Sequence, residues 1–357
     1  MSTERESIGA RLEAVREGWT TERFVLVALV ALVLASFGPS FQVYLLTEFL
    51  IVALFALAFN LLYGYTGLLS FGHAMFFAAG GYSTAVAFRD LQQPVADAVG
   101  TGPAPLVTFL VGGVLGLLAA AVLAVPVGYL SVRLEEIYFA LITLAFGMLF
   151  YTTLYQNPAE FTNGSDGIIL LLGVVELGGM EFSLGERRIY YYLTLAVVVA
   201  SVYAIWRLVN SPFGTVCKAL RESPERASAL GVNVSFHRWV TFVVSALFTG
   251  LAGVLAGGLY GVVSPDMSHW STSADPVVAT VIGGANYFIG PIVGAFVYLY
   301  VRWGISQFPT LEAHWEFVFG AMLVVVVLFF KQGAAGGVYM LRDRLADRRG
   351  GDGGDER

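Results

Sequence analysis

The chain of 357 residues is 57% hydrophobic and only 13% charged, with a formal net charge of −6 and a single cysteine, Cys217. Soluble domains carry about 25% charged residues, so the balance excludes an ordinary soluble enzyme and indicates a polytopic membrane protein. A sequence pI near 5.3 argues against nucleic acid as a partner, and one cysteine excludes an intramolecular disulfide or a thiolate metal site.

Residues 1–23, MSTERESIGARLEAVREGWTTER, are charged and lack the layout of a secretory signal. They read as a retained cytoplasmic segment. Apolar runs of the roughly 17–25 residues that a bilayer-spanning helix needs follow at 24–38, 41–62, 67–88, 106–130, 137–156, 190–209, 239–261, 287–306 and 315–331. A further run, 276–285, is too short to span alone. The permease domain is thus expected over 24–331, with a charged tail over 332–357.

Lys and Arg in the flanking segments set orientation. The first segment holds Arg5, Arg11, Arg16 and Arg23, and the tail holds Lys331, Arg342, Arg344, Arg348 and Arg349. Both ends are therefore expected in the cytoplasm, which demands an even number of crossings. Counting 276–285 as a partial crossing gives about ten. Loop 207–238, with Arg207, Lys218, Arg221, Arg226 and Arg238, then falls inside. Loop 157–189, with Glu160, Asp166, Glu176, Glu181 and Glu186 against Arg187 and Arg188, falls outside.

The second and third runs meet in NLLYGYTGLLSFGHAMFFAAGGYSTA, residues 60–85. Each glycine costs about 1 kcal/mol of helix propensity relative to alanine. Broken helices at membrane depth are tolerated only where protein or a cavity covers the freed backbone. A second glycine-rich break, VIGGANYFIGPIVGAF, occupies 281–296. Two interrupted segments in corresponding halves indicate an inverted-repeat transporter core; tight helix packing alone is the other reading. The candidates are Asn60, Gly64, Gly67, Ser70, Gly72 and His73 in the first break, and Gly283, Gly284, Gly290 and Pro291 in the second. His73 reads as a structural hydrogen-bonding residue, with a proton relay as the alternative. His269 and His314 read as interfacial.

In RLEEIYFALITLAFGMLFY, residues 133–151, Tyr138 suits an interfacial anchor. Thr143 and Gly147, four apart, share a face that packs on a neighbour or lines a pore. The stretch FTNGSDGIIL, 161–170, is a turn, with ion binding by Asn163, Ser165 and Asp166 as the alternative. The longest polar interruption is RLVNSPFGTVCKALRESPERASALGVNVSFHRW, residues 207–239. Ser223, Pro224 and Gly231 stand as N-cap, first turn and C′ of a short helix that faces a partner. No phosphate-binding G-x-x-x-x-G-K-[ST] loop occurs, so the chain is not expected to hydrolyse ATP itself.

Five blocks in order, NLLYGYTGLLSFGHAMFFAAGGY, RLEEIYFALITLAFG, TNGSDGI, SPFGTVCKALRESPERASALGVN and PVVATVIGGANYFIGPIVGA, resemble the LivM-type permease subunits of ABC importers for branched-chain amino acids. The resemblance covers residues 45–330. It implies an all-α, polytopic, non-enzymatic transport subunit whose segment 216–231 couples to an ATPase through Arg221, Glu222, Ser223, Pro224, Glu225, Ala227 and Gly231. It also implies a homologous LivH-type permease partner, two ATP-binding subunits that hold ATP and Mg, an extracytoplasmic binding protein, and an amino-acid cargo. No cofactor is implied in this chain. Ser228, Cys217 and LEEI at 134–137 depart from the family pattern. Urea and short-amide importers use similar permeases and remain an alternative. A secondary transporter would need intramembrane ion ligands, for which Glu48 and Arg302 are the few candidates, and a membrane-embedded enzyme would need a catalytic cluster that the sequence lacks.

Overall fold

The computed structural model describes residues 32–33, 35–157, 161–308, 317, 320 and 324. The segment 1–23, much of the run 24–38, all but three residues of the run 315–331, the tail 332–357, Glu160 and His314 lie outside them. Helix α1, Ser40–Thr66, is a continuous apolar helix of 27 residues, about 40 Å long. It ends at Gly67, whose left-handed φ of 78° lets its N–H close back on the Tyr63 carbonyl. The next six residues are not α-helical, and α2 runs over His73–Val86.

The run 67–88 was expected as one span. The structure instead begins its α-helix at His73, and the helical backbone continues from the 14 residues of α2 through a π turn at 87–91 as far as Val99. The apolar composition of 67–72 does not make it helical, because Gly67 and Gly72 remove the local preference and the hydroxyls of Thr143 and Ser70 take its amides.

A π turn at 87–91, α3 (Gln92–Val99), α4 (Ala104–Ser131) and α5 (Glu136–Gln156) follow. After a 3₁₀ turn at 164–166 come β1 (Ile168–Ile169), β2 (Val174–Leu177), β3 (Met180–Ser183) and α6 (Arg187–Val209). Then come α7 (Pro212–Glu222), α8 (Pro224–Ala229), α9 (Val234–Tyr260), β4 (Val262–Val263), a 3₁₀ turn at 265–268, α10 (Trp270–Gly283) and α11 (Gly290–Ser306). Five of these, α1, α4, α5, α6 and α9, are long and apolar enough to cross a membrane. The helical expectation is met with one addition: two short antiparallel ladders in the connecting loops. In these, Ile168 pairs with Val263 and Ile169 with Val262, while β2 and β3 form a hairpin from Val174–Ser183 to Leu177–Met180.

The core forms around α1, which is almost wholly buried, with α2, α6, α9, α10 and α11 against it. A second apolar cluster gathers Met75, Phe76, Phe139 and Phe242. Helix association within lipid is not driven by removing apolar surface from water; it depends on close packing and small residues. Here α2 passes between α4 and α9 at such points. A Cβ at Gly80 would overlap the Gly250 carbonyl, and one at Gly116 would lie 3.2 Å from the Gly80 Cα.

The bundle has two distinct ends. One carries α7, α8, the last turn of α1 and the turn 284–289, joined through Arg221. The other carries the ladders and loops, where Arg89 Nη1 donates to the Phe161 carbonyl and Glu176 N–H to that of Gly102. Helix α1 ends, and α9 begins, at the α7–α8 end, so these two 27-residue helices run in opposite senses.

Candidate functional site: a broken helix and a two-helix surface segment

The break at 67–72 is held by hydroxyl groups. Phe71 N–H donates to Thr143 Oγ1 at 3.3 Å, and Gly72 N–H to Ser70 Oγ at 3.4 Å. At the start of α2, Ala74 N–H donates to Ser273 Oγ at 2.9 Å, satisfying one of the amides that a helix N-terminus leaves unpaired. A side chain at Gly72 would overlap the Thr143 carbonyl, and a Cβ at Gly147 would lie 3.2 Å from the Gly72 Cα. The face shared by Thr143 and Gly147 therefore packs on the broken segment, the first of its two readings.

His73 is fully buried, with Nε2 2.8 Å from Ser245 Oγ. Ser245 gives its only hydrogen to the Ala58 carbonyl at 2.6 Å, so it accepts from His73, which fixes the Nε2–H tautomer. The rings of Phe59, Phe76 and Phe242 surround the imidazole edge-on. This chain of bonds ends on a backbone carbonyl, which cannot pass a proton onward, so the geometry is that of a structural hydrogen bond.

Beside the break, an open apolar recess of 470 Å³ is lined by Tyr63, Gly67, Leu69, Phe71, Ile137, Ala140, Leu141 and Leu144. Tyr138 stands exposed on the first turn of α5, apart from the other candidates. The second glycine group forms a tight helix–turn–helix. Helix α10 ends at Gly283, Tyr287 N–H and Gly290 N–H close the turn, and Pro291 sits in the first turn of α11. A Cβ at Gly283 would overlap the Gly290 carbonyl. At 161–170, Asn163 adopts φ 61° and its amide nitrogen donates to the Gly167 carbonyl at 3.0 Å. That stretch is a turn built from its own side chains.

The polar interruption 207–239 resolves into two helices. Helix α7 buries Gly214, Cys217 and Leu220, spaced three apart on one face. Burial pushes the Cys217 thiol up from its ordinary value, and Thr241 Oγ1 lies 3.3 Å from the sulfur. Helix α8 starts as its sequence dictates. Ser223 caps it by accepting from Arg226 N–H at 3.4 Å, Pro224 lies in the first turn, and Gly231 follows with φ 86°. Ala227 is its buried residue, while Glu222, Glu225, Ser228 and Gly231 are exposed. Leu230, at the C-terminal end of α8, is 87% exposed. Arg221 points the other way, donating from Nη1 to the Gly64 carbonyl at 2.6 Å and from Nη2 to Asn286 Oδ1 at 2.7 Å.

The structure thus gathers the sequence candidates into two places. Ser70, Gly72, His73 and Thr143 meet at the break, and Asn60, Gly64, Gly67, Arg221 and the 283–291 turn meet at the α7–α8 end. Sequence reasoning missed Ser245, Ser273, Asn286 and Leu230. Asn286 lies inside the quoted GGANYF block, and Leu230 could have been found as a large apolar residue beside a helix-ending glycine; the two serines carry no local signal. It also left Glu48 and Arg302 as separate residues. Arg302 lies within electrostatic reach of Glu48 and of Asp275, which accepts from Tyr298 Oη at 2.6 Å.

Residues 41–327 match the family model described as "Branched-chain amino acid transport system / permease component". The chain is 28% identical to the high-affinity branched-chain amino acid transport permease protein LivM of Escherichia coli K12, over 90% of this chain and 77% of that one. It is 26% identical to the LivH permease protein of the same strain, over 80% of this chain and 91% of that one. It is 25% identical to the galactose/methyl galactoside import permease protein MglC, also of that strain, over 72% and 76%. No solved structure matches the chain. With a family match across most of its length and LivM relatives over most of their own, the chain belongs to the branched-chain amino acid transport permeases, as a LivM-type member.

Proposed function

We propose that this chain is the membrane-spanning translocation subunit of an ATP-driven importer of branched-chain amino acids, with its hydrolytic subunits on separate chains. The observation that carries the reading is the α7–α8 segment. An exposed leucine at the end of a short capped helix, on a segment that also exposes Glu222, Glu225 and Arg226, is what a partner's cleft would take. Buried apolar anchors with a charged rim are how interfaces concentrate their energy. Under this reading both termini lie in the cytoplasm, α7–α8 docks on an ATPase subunit, and closure of two ATPase subunits around ATP and Mg swings the core between outward- and inward-facing states. A LivH-type permease pairs with this chain, and an external binding protein delivers the zwitterionic cargo. The identity to LivM and LivH over large shares of both chains supports branched-chain amino acids as the cargo.

Deletion of 223–230, or replacement of Glu222, is expected to abolish substrate-stimulated ATP hydrolysis in the reconstituted importer while the permease stays folded in the membrane. Stimulation that survives the deletion would sink the placement. Uptake that persists in cells lacking the partner ATPases would sink the ATP-driven reading altogether.

A further inference from the structure

Arg221, itself exposed, turns away from the tip of the α7–α8 segment and reaches back to the bundle. Its guanidinium reaches two elements far apart in sequence, the last turn of α1 at the Gly64 carbonyl and the α10–α11 turn at Asn286 Oδ1. A carbonyl in the last turn of a helix lacks an intrahelical partner and sits at the negative end of the helix dipole, so a cation is favoured there. The planar fork of arginine holds both acceptors in one fixed geometry, which the single ammonium of lysine would not. The two elements already touch, since a Cβ on Gly64 would lie 2.7 Å from the Ala285 carbonyl. One turn earlier on α1, Asn60 is fully buried and stands over Gly64, and among the described residues neither atom of its amide has a hydrogen-bond partner. Folded proteins rarely leave a buried amide unpaired, and each case calls for an explanation. Here the unpaired amide lies where a helix end meets a turn.

We infer that Arg221, Asn286 and Asn60 form a latch between the coupling segment and the translocation core. Arg221 and Asn286 are positioning residues that carry a displacement of α7–α8 to α1 and to the α10–α11 turn together. Asn60 is the group that gains a partner when that junction rearranges, so its unmet hydrogen bonds bias the junction toward moving. The inference rests on the reading of α7–α8 as the ATPase contact.

The test uses the complete importer in proteoliposomes, with the partner permease, the ATPase subunits and the binding protein. Asn286→Ala removes one arm of the latch without touching the exposed tip. The ATPase subunits should still co-purify with it, while substrate imported per ATP hydrolysed falls by about tenfold, within the range of ordinary coupling free energies. Hydrolysis without binding protein should rise. Asn286→Asp exchanges a neutral acceptor for a charge-assisted one and should shift that hydrolysis the opposite way. Arg221→Cys with Asn286→Cys, in a Cys217→Ser background and bridged by a reducible bis-methanethiosulfonate linker, should stop uptake, and dithiothreitol should return it only to the reduced level of Asn286→Ala. An unchanged import-to-hydrolysis ratio in Asn286→Ala, or full uptake by the bridged pair, overturns the latch while leaving ATPase docking intact. Absence of the ATPase subunits from preparations of the unaltered protein overturns the coupling reading, and the latch with it.

Discussion

Two stretches of this molecule share one plan and use it differently. In the first, a 27-residue helix ends on a left-handed glycine, Gly67, and a 14-residue helix begins after a break. In the second, α9 has 27 residues, ends on Gly261 at φ 71°, and is followed after a break by the 14-residue α10. The first break, 67–72, runs against α5 and ties two amides through side chains, Phe71 N–H to Thr143 on α5 and Gly72 N–H to Ser70 within the break. The second break, 261–269, is ordered by backbone pairing with another loop and by its own turn. It pairs as β4 with β1, closes a 3₁₀ turn over 265–268, and caps α10 with His269, whose Nδ1 accepts from Ser271 N–H at 3.4 Å. Backbone groups freed by a break must find partners: beside a helix these are side chains, and at a loop-bearing end the backbone of another loop is in reach. The first break is thereby tied to a helix long enough to cross a membrane, and the second to a connecting loop.

The harshest way to break this comparison is at the point where the two units cross. Gly80→Leu would drive a side chain into the Gly250 backbone, and overpacking of that kind costs about 3 kcal/mol. The expected outcome is loss of monodisperse protein in detergent by size-exclusion chromatography. Ser245→Ala comes next, since it leaves His73 Nε2 buried without a partner, at about 1–3 kcal/mol, read as a lowered midpoint in thermal unfolding. Thr143→Val and Ser273→Ala should each cost about 1 kcal/mol by removing hydroxyls on which the first break and the start of α2 depend. His269→Ala in the second break should cost about 0.5 kcal/mol, at the low end for a lost cap. If His269→Ala proves as costly as Thr143→Val, the distinction between a break held by a helix side chain and one held by a loop's backbone fails.

The smallest effect concerns Cys217. Burial raises its pKa in the folded protein, so the thiolate that attacks maleimide is scarce at neutral pH. Labelling should be negligible until the protein is unfolded. Because the folded value lies above the unfolded one, the associated stability is present below the unfolded thiol's pKa and is lost as pH rises from there through the folded value. Cys217→Ser should flatten that alkaline loss, measured as the unfolding midpoint against pH.

Much of this was legible before folding was considered. The runs 41–62, 106–130, 137–156, 190–209 and 239–261 became α1, α4, α5, α6 and α9 with ends shifted by a few residues, because long apolar stretches leave the backbone no partner but itself. The cap at Ser223, the proline after it and the left-handed Gly231 were readable for the same local reason. The run 67–88 is apolar throughout but helical only from His73, because hydropathy measures where a segment is comfortable and not whether it is helical. Arg221 was read as one of seven coupling residues, and its sequence neighbours gave no hint that it turns inward to Gly64 and Asn286.

The sequence by itself determined that this is a helical membrane protein, where its long helices run, which glycines interrupt them, and that a short capped helix faces outward from the bundle. Tertiary structure alone decided which hydroxyls rescue the broken helix, which tautomer His73 adopts, and which carbonyl Arg221 holds. Helix formation and capping join residues within about four positions of one another, so they leave a periodic trace in the chain. The bonds from Phe71 to Thr143, Ala74 to Ser273 and Arg221 to Gly64 join residues 72, 199 and 157 positions apart. A single contact over such a separation imposes no pattern on the residues between, and only the packed bundle brings its two ends together.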